Sequence, residues 1–335
     1  MKKMIGITLA TILTTALLSG CGSNSTTGSA ADGGQSTEKI TISTVTPWPL
    51  EDQFSSGYRL FEEKLLEKGN GRIEIVYRGG PESITPTEQA GAVKTGVVDL
   101  AYLAGSYYVS NMPEIASMTY ANVGPDEELK NGARDYINQI NQEKMNSIIL
   151  ARAPGTSAVF YTNKEIKTIA DYQGLRIRTA PAYVPFVKAL GMENVTVSSG
   201  EIYSALEKGI VDAVASNNLG TFDQGYAEQV KYKIFPPFYG NDIMIIMNLD
   251  KFNSLPADIQ ELIKETALEV EREVAKVHAD LLAEEENNLK SVGMEFIEMT
   301  DAEAFDDLAQ KAGWDWVKEN SPEHGAKLEE LFSKK

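Results

Sequence analysis

"AVKTGVVDLA" at residues 92–101 and "ALEKGIVDAV" at residues 205–214 are two versions of one phrase. Each closes a helix on a glycine, Gly96 or Gly209, and then sets two β-branched residues, an aspartate and an apolar stretch. A glycine there suits the left-handed turn that ends a helix, and a β-branched pair starts a buried strand. Outward from the first copy the same alternation holds. "KITISTVTP" (39–47) alternates as a strand, and residues 51–71 carry Phe54, Tyr58, Phe61 and Leu65 at helical spacing up to Gly69 and Gly71. "RIEIVYRGG" (72–80) reads as a second strand, "PTEQAGAVKTG" (86–96) as a short helix and "VVDLAYLA" (97–104) as a third strand. Strand and helix in alternation predict a parallel or mostly parallel sheet flanked by helices, and the second copy predicts a second lobe of the same design.

Beyond Leu249 the texture turns helical. Residues 254–293 read as one long run, with Ser254 as N-cap, Pro256 in the first turn and Gly293 at the stop, long enough to straddle both lobes. His278 is expected to be a surface or packing residue, and the acidic run 284–286 a solvated face. Residues 301–335 add two terminal helices in which Trp314 and Trp316 act as packing anchors.

The 335 residues are 42% hydrophobic, enough for two cores, and carry a formal charge of −17. That charge argues against nucleic acid and anionic lipid surfaces, both of which need a basic footprint. With two histidines and one cysteine, no zinc spacing or Ser-His-Asp arrangement is convincing, and no glycine-rich phosphate loop follows a strand. No cofactor or metal, and no catalytic residue, is expected.

Lys2 and Lys3 precede an apolar run from Met4 to Leu18 that is short for a membrane span. Leu18-Ser19-Gly20-Cys21 resembles the bacterial lipobox, in which the cysteine is acylated and becomes the mature N-terminus. Residues 1–20 are then a lipoprotein signal peptide, Cys21 the lipidation site, and residues 21–38 a flexible linker of Ser, Thr, Gly, Ala and Asp. Two or more acyl chains hold a protein at a membrane far better than one. The expectation is an exported protein, lipid-anchored to the outer face of the cell membrane.

"GLRIRTAP" (174–181) sets two arginines between aliphatics in an otherwise acidic chain. At a strand's period of two, Leu175 and Ile177 face one way and Arg176 and Arg178 the other. The stretch continues "AYVPFVKALGMENVTVSSGEIYSALEKGIVDAVASNN". Together with "GVVDLAYLAGSYYVSNMPEIASM" and "LDKFNSLPADIQELIKETA", it resembles the extracytoplasmic solute receptors of tripartite ATP-independent periplasmic (TRAP) transporters, of the C4-dicarboxylate-receptor type. The matching positions include Asp171, Gly174, Ile177, Arg178, Ala189, Leu190, Gly191, Glu201, Tyr203, Ala205, Leu206, Gly209, Val211 and Asp212. The resemblance covers nearly all of the chain from Lys39.

It implies an α/β, two-lobed periplasmic-binding-protein-like fold with mixed sheets, a ligand cleft between the lobes and a long helix spanning both. The expected boundaries are residues 39–156 for lobe I and 157–242 for lobe II. A return to lobe I with the spanning helix takes 243–281, and C-terminal helices packing on lobe II take 282–335. It implies a monomeric receptor that binds a small organic acid and delivers it to the small and large membrane subunits of the transporter. In the family, the residue at Arg178 pairs with the substrate carboxylate, while Arg176 is expected in a salt bridge. A guanidinium fork suits a carboxylate. The usual company of that arginine is altered, with Val159 near a common second arginine, Ser216 and Asn217 near a common asparagine, and Ser199 in place of an aromatic. These departures point away from sialic acid and typical dicarboxylates. Trp48, Tyr161, Tyr183 and Phe222 complete the candidate cleft residues. A lipid-anchored enzyme acting on an acidic metabolite and a receptor for an ABC importer are the alternatives; Glu201 and Asp212 are assigned capping and framework roles.

Overall fold

Among the described residues, eleven strands, taken in chain order, divide between two sheets. β1 (Ile40–Val45), β2 (Ile73–Tyr77), β3 (Leu100–Ala104) and β4 (Ser147–Arg152) belong to the first lobe. β5 (Ala158–Thr162), β6 (Arg176–Arg178), β7 (Glu193–Val195), β8 (Ala213–Asn217) and β9 (Tyr232–Phe235) belong to the second. β10 (Ile243–Asn248) returns to the first sheet and β11 (Glu295–Glu298) to the second. The orders are β2-β1-β3-β10-β4 and β11-β9-β5-β8-β6-β7. β1, β2 and β3 pair in parallel while β10 runs antiparallel to both β3 and β4, so the sheet is mixed, as is the second. This computed structural model describes residues 39–197, 199–240 and 243–334. The expected leader, Cys21 and the linker lie outside the described residues.

The helices are α1 (Ser56–Gly69), α2 (Gln89–Lys94), α3 (Ala116–Tyr120), α4 (Pro125–Asn131), α5 (Ala133–Met145), α6 (Val184–Ala189), α7 (Ile202–Glu207), α8 (Leu249–Ser254), α9 (Ala257–Ser291), α10 (Ala302–Asn320) and α11 (Gly325–Phe332). In lobe I both faces of the sheet are covered. Tyr58, Phe61 and Leu65 of α1 join Ile259, Ile263 and Ala267 of α9 on one side, and Val93, Ile137, Ile140 and Met145 lie on the other. That is why the central strands, "LAYLA" and "IMIIMN", are buried throughout rather than alternating.

The repeated phrase is equivalent in three dimensions. Gly96 and Gly209 take φ values of +72° and +61°, which a side chain would resist. Val97 N donates to Ala92 O at 2.9 Å and Ile210 N to Ala205 O at 2.8 Å. Asp99 accepts from the backbone N of Ser43 in β1, and Asp212 from the backbone N of Arg176 in β6. Val45 of lobe I and Arg178 of lobe II therefore occupy corresponding places, one residue beyond Thr44 and Ile177 in parallel ladders.

The long helical run differs from its expectation at one end. Ser254 does not cap it; its hydroxyl donates back to Lys251 O at 2.7 Å at the close of α8, which Asn248 caps. Pro256 separates the two helices because it holds Leu255 extended (ψ 150°) and offers no N–H. α9 then runs from the lobe I core, at Val270 and Val274, to the lobe II core, at Leu289. The acidic run on it is not wholly solvated. Glu285 is completely buried, and its Oε1 accepts from Phe222 N at 3.0 Å. The terminal helices are not confined to lobe II either: α10 packs on α6 and α3, and α11 on α3 and α5.

The chain passes between lobes at residues 153–157 and again after β9, and these segments lie side by side. Ser157 bridges Gly240, and Ala153 N donates to Ile243 O at 2.7 Å. Where the first passage begins, four buried charges meet. Arg134 reaches Glu271 at 2.9 Å and Glu128 at 3.0 Å, Arg152 Nη1 bonds Glu128, and Arg152 N donates to Glu271 at 2.6 Å. Two cations and two anions balance there, and removing any one would strand an opposite charge out of water. The network ties α9 to the end of β4. His278, expected to be a surface or packing residue, is buried against the passage, with Nδ1 2.8 Å from Pro154 O.

Candidate ligand-binding cleft

Parallel strands fed by helices open at their carboxyl ends, and both lobes turn those ends toward a shared cavity. Lobe I supplies Trp48 after β1, Ala104 at the end of β3, and Ser106 and Tyr107 just beyond. Lobe II supplies Arg178 at the end of β6, Ser216 and Asn217 at the end of β8, then Tyr183, Ile202 and Gln224. The cavity is small. A wider outer recess adjoins it, and Arg178 and Tyr107 border both.

Arg178 is 6% exposed. Its Nε donates to Val197 O at 3.1 Å, which fixes the plane of the guanidinium group. Among the described residues no carboxylate pairs with it, and its two terminal nitrogens have no protein acceptor. Arg176 is the opposite case: its Nη2 lies 2.7 Å from Asp212 Oδ1 and its Nε 3.0 Å from Oδ2, at the surface. The Asp212 carboxyl is held below its usual range by hydrogen bonding from that guanidinium.

Five of the expected cleft residues meet at this cavity: Arg178, Trp48, Tyr183, Ser216 and Asn217. Tyr161 does not line it. It is fully buried behind the wall, where its hydroxyl donates to Asn217 O at 3.2 Å and burial pushes its pKa well up. Phe222 packs on the same lobe II core rather than on the cavity. Ser199 opens the turn before α7, and its side chain is outside the description. Val159 is buried opposite Ser216 in the β5–β8 ladder, so no cation stands at its position.

Sequence reasoning missed Phe54, Tyr107 and Gln224. Phe54 had been read as part of a helix's apolar face, but Asp52 caps a short turn there through Phe54 N (2.8 Å) and turns the ring onto Trp48, 5.0 Å between centroids. Trp48 also meets Tyr107 at 6.2 Å, so lobe I presents a continuous aromatic surface. Burial pushes the Asp52 carboxyl above its usual range, and Asp223 of lobe II pushes the same way; Gln224 and Phe54 N oppose it. Among the described residues no group of three or more His, Cys, Asp or Glu side chains could hold a metal.

Residues 45–314 match the family model described as bacterial extracellular solute-binding protein, family 7. A monocarboxylate 2-oxoacid-binding periplasmic protein of Nostoc sp. strain PCC 7120 is 24% identical over 292 residues, spanning 84% of this chain and 79% of that protein. The 2,3-diketo-L-gulonate-binding periplasmic protein of Escherichia coli K12 is 22% identical over 260 residues, 74% of this chain and 77% of its own length. Among solved structures, a TRAP solute-binding protein of Desulfovibrio salexigens with bound orotic acid superposes with a TM-score of 0.80 at 20% identity, covering 88% of this chain and 97% of that one. A marine-metagenome TRAP solute-binding protein with co-purified pyroglutamate gives 0.77 at 21% identity, covering 88% and 99%. At such identities the likeness is one of fold, and the fold is the two-lobed α/β one.

Proposed function

The chain belongs to the family 7 bacterial extracellular solute-binding proteins, and we propose that it is the extracytoplasmic receptor of a TRAP transporter, holding a small organic acid by its carboxylate on Arg178. The observation that carries this is a buried guanidinium group whose terminal nitrogens have no acceptor among the described residues, at the wall of an interlobe cavity. A planar fork meets a carboxylate through two parallel hydrogen bonds, and exclusion of water by the lobes strengthens the pair. The organic acids bound by the related proteins support the same reading. No reaction follows from such a site. The lobes close on the acid because the closed form binds it better, and the loaded form is passed to membrane subunits for uptake. We assign Cys21 as the lipid attachment point that keeps the receptor beside them on the outer face of the membrane. Mass spectrometry of acid that co-purifies with the native protein identifies the ligand, and calorimetric titration with it tests the anchor. Arg178→Ala should weaken binding by roughly thirty- to several-thousand-fold, the effect of a desolvated charge losing its partner. Binding at wild-type affinity in that variant would remove the basis of the proposal.

A further inference from the structure

We propose that this cleft selects a monocarboxylate with a flat, largely apolar body, and discriminates against a second carboxylate and against a polyhydroxylated chain. The inference rests on Arg178 as the carboxylate anchor and concerns what lies beyond it. Among the described residues lining the inner cavity and the outer recess, Arg178 is the one cation. The outer recess adds a carboxylate, Glu82, and behind Phe54 of the inner wall the Asp52 carboxylate caps the Phe54 N–H at 2.8 Å. A second anionic group on the ligand would therefore be desolvated beside negative charge, with no partner.

Among the neutral polar groups of the inner cavity, the Asn217 side chain is committed. The Asn217 amide donates to Thr156 Oγ1 at 3.1 Å and accepts from Leu219 N at 3.4 Å. A sugar acid, with a hydroxyl on nearly every carbon, would set several of them against the rings of Trp48, Phe54 and Tyr107, whose faces offer no hydrogen-bond partner of comparable strength. The lobe I wall of the inner cavity is aromatic. Trp48 and Phe54 are tilted 35° to each other at 5.0 Å, Tyr107 extends them, and Tyr183 closes from the other lobe. Such a surface rewards a planar or branched apolar body through contact area and ring packing.

The test uses matched probes on the full protein after exhaustive dialysis. Benzoate is compared with isophthalate, 4-methyl-2-oxopentanoate with 2-oxoglutarate, and both monocarboxylates with glucuronate, by titration calorimetry and Trp48 fluorescence. The expected result is binding of at least one apolar monocarboxylate, with its dicarboxylate partner and glucuronate weaker by roughly a hundredfold or more. Equal or tighter binding of a dicarboxylate or of glucuronate overturns the inference, as does binding of none of the five at millimolar concentration by the folded protein. Repeating the titration with Arg178→Ala separates the two levels. If the preferred monocarboxylate still binds that variant fully, the anchor assignment fails even where the selectivity holds.

Discussion

Arg176 and Arg178 share a strand and, by its period of two, a face, yet only one belongs to the cavity. What separates them is height along β6, about 6.6 Å at two residues' rise. Arg176 sits low, where Asp212 reaches it at the surface; Arg178 sits at the carboxyl end, where the corresponding residue of lobe I is Val45. Arg178→Lys should therefore recover only part of the affinity lost in Arg178→Ala, since an ammonium keeps the charge but lacks the fork. Arg176→Ala should change ligand affinity little; calorimetry on the variants decides, and a large loss from Arg176→Ala would reverse the assignment. His278 offers a second test at this scale. Its Nδ1 must carry the proton to donate to Pro154 O, and burial holds the imidazole below its ordinary pKa, so the folded state keeps it neutral. The unfolded chain then binds the extra proton first, and the stability that His278 contributes, full above about pH 6.5, should fall as pH drops from there toward the depressed folded value. Thermal melts across that window should show a decline that His278→Gln lacks; parallel curves for the two proteins would contradict it.

At the scale of elements, the segment 218–225 matters more than its lack of regular structure implies. Leu219 is buried in the lobe I core, Gly220 (φ +85°) lies so close to Phe54 that a Cβ would sit 3.0 Å from its ring, and Gln224 lines the cavity. Glu285 holds this segment from behind through Phe222 N, and Lys233 Nζ lies 3.4 Å from Asn218 O. Burial raises the Glu285 pKa and lowers that of Lys233. Glu285→Ala, which leaves the Phe222 N–H unpaired, should cost about 1–3 kcal/mol in stability and also weaken ligand binding. Glu285→Gln keeps an acceptor and should restore most of the binding; if the alanine variant, folded, binds as tightly as wild type, the segment does not depend on Glu285. Sequence could not show this. Three consecutive glutamates read as solvated, and only the helical turn selects the middle one for the interior, opposite amides some sixty residues away. The Pro256 break was in view but was read as a first turn, because Ser254 looks like a cap until Asn248 is seen to be one. By contrast, the paired lobes, the glycine stops, the long helical run and the place of Arg178 on one face of a strand were legible from local pattern, while its part in the cleft came from the family resemblance. The cavity walls Phe54, Tyr107 and Gln224 were not, because they come together only through the packing of one lobe on the other.

On the scale of the whole molecule, closure depends on the passages between lobes, and Gly155 sits at the tightest point of the first. Its φ is +105°, and a Cβ there would lie 3.2 Å from Ala275 Cα and 3.3 Å from Ala275 O, so the passage lies flat on α9. Gly155→Ala should lower stability by roughly 1 kcal/mol or more and slow the fluorescence change of Trp48 on ligand addition. A variant with an unchanged melt and unchanged rate would mean that the passage can shift off the helix freely. The same passages have a consequence for how the protein comes into being. β10 lies between β3 and β4, yet it is made only after the chain has left lobe I and laid down β5 to β9. A chain delivered N-terminus first can finish five of the six strands of its second sheet while the first still has a gap at its centre and β3 presents a bare edge. The half that carries Arg178 can then lack only its edge strand β11 while the half in which the chain begins still waits for β10.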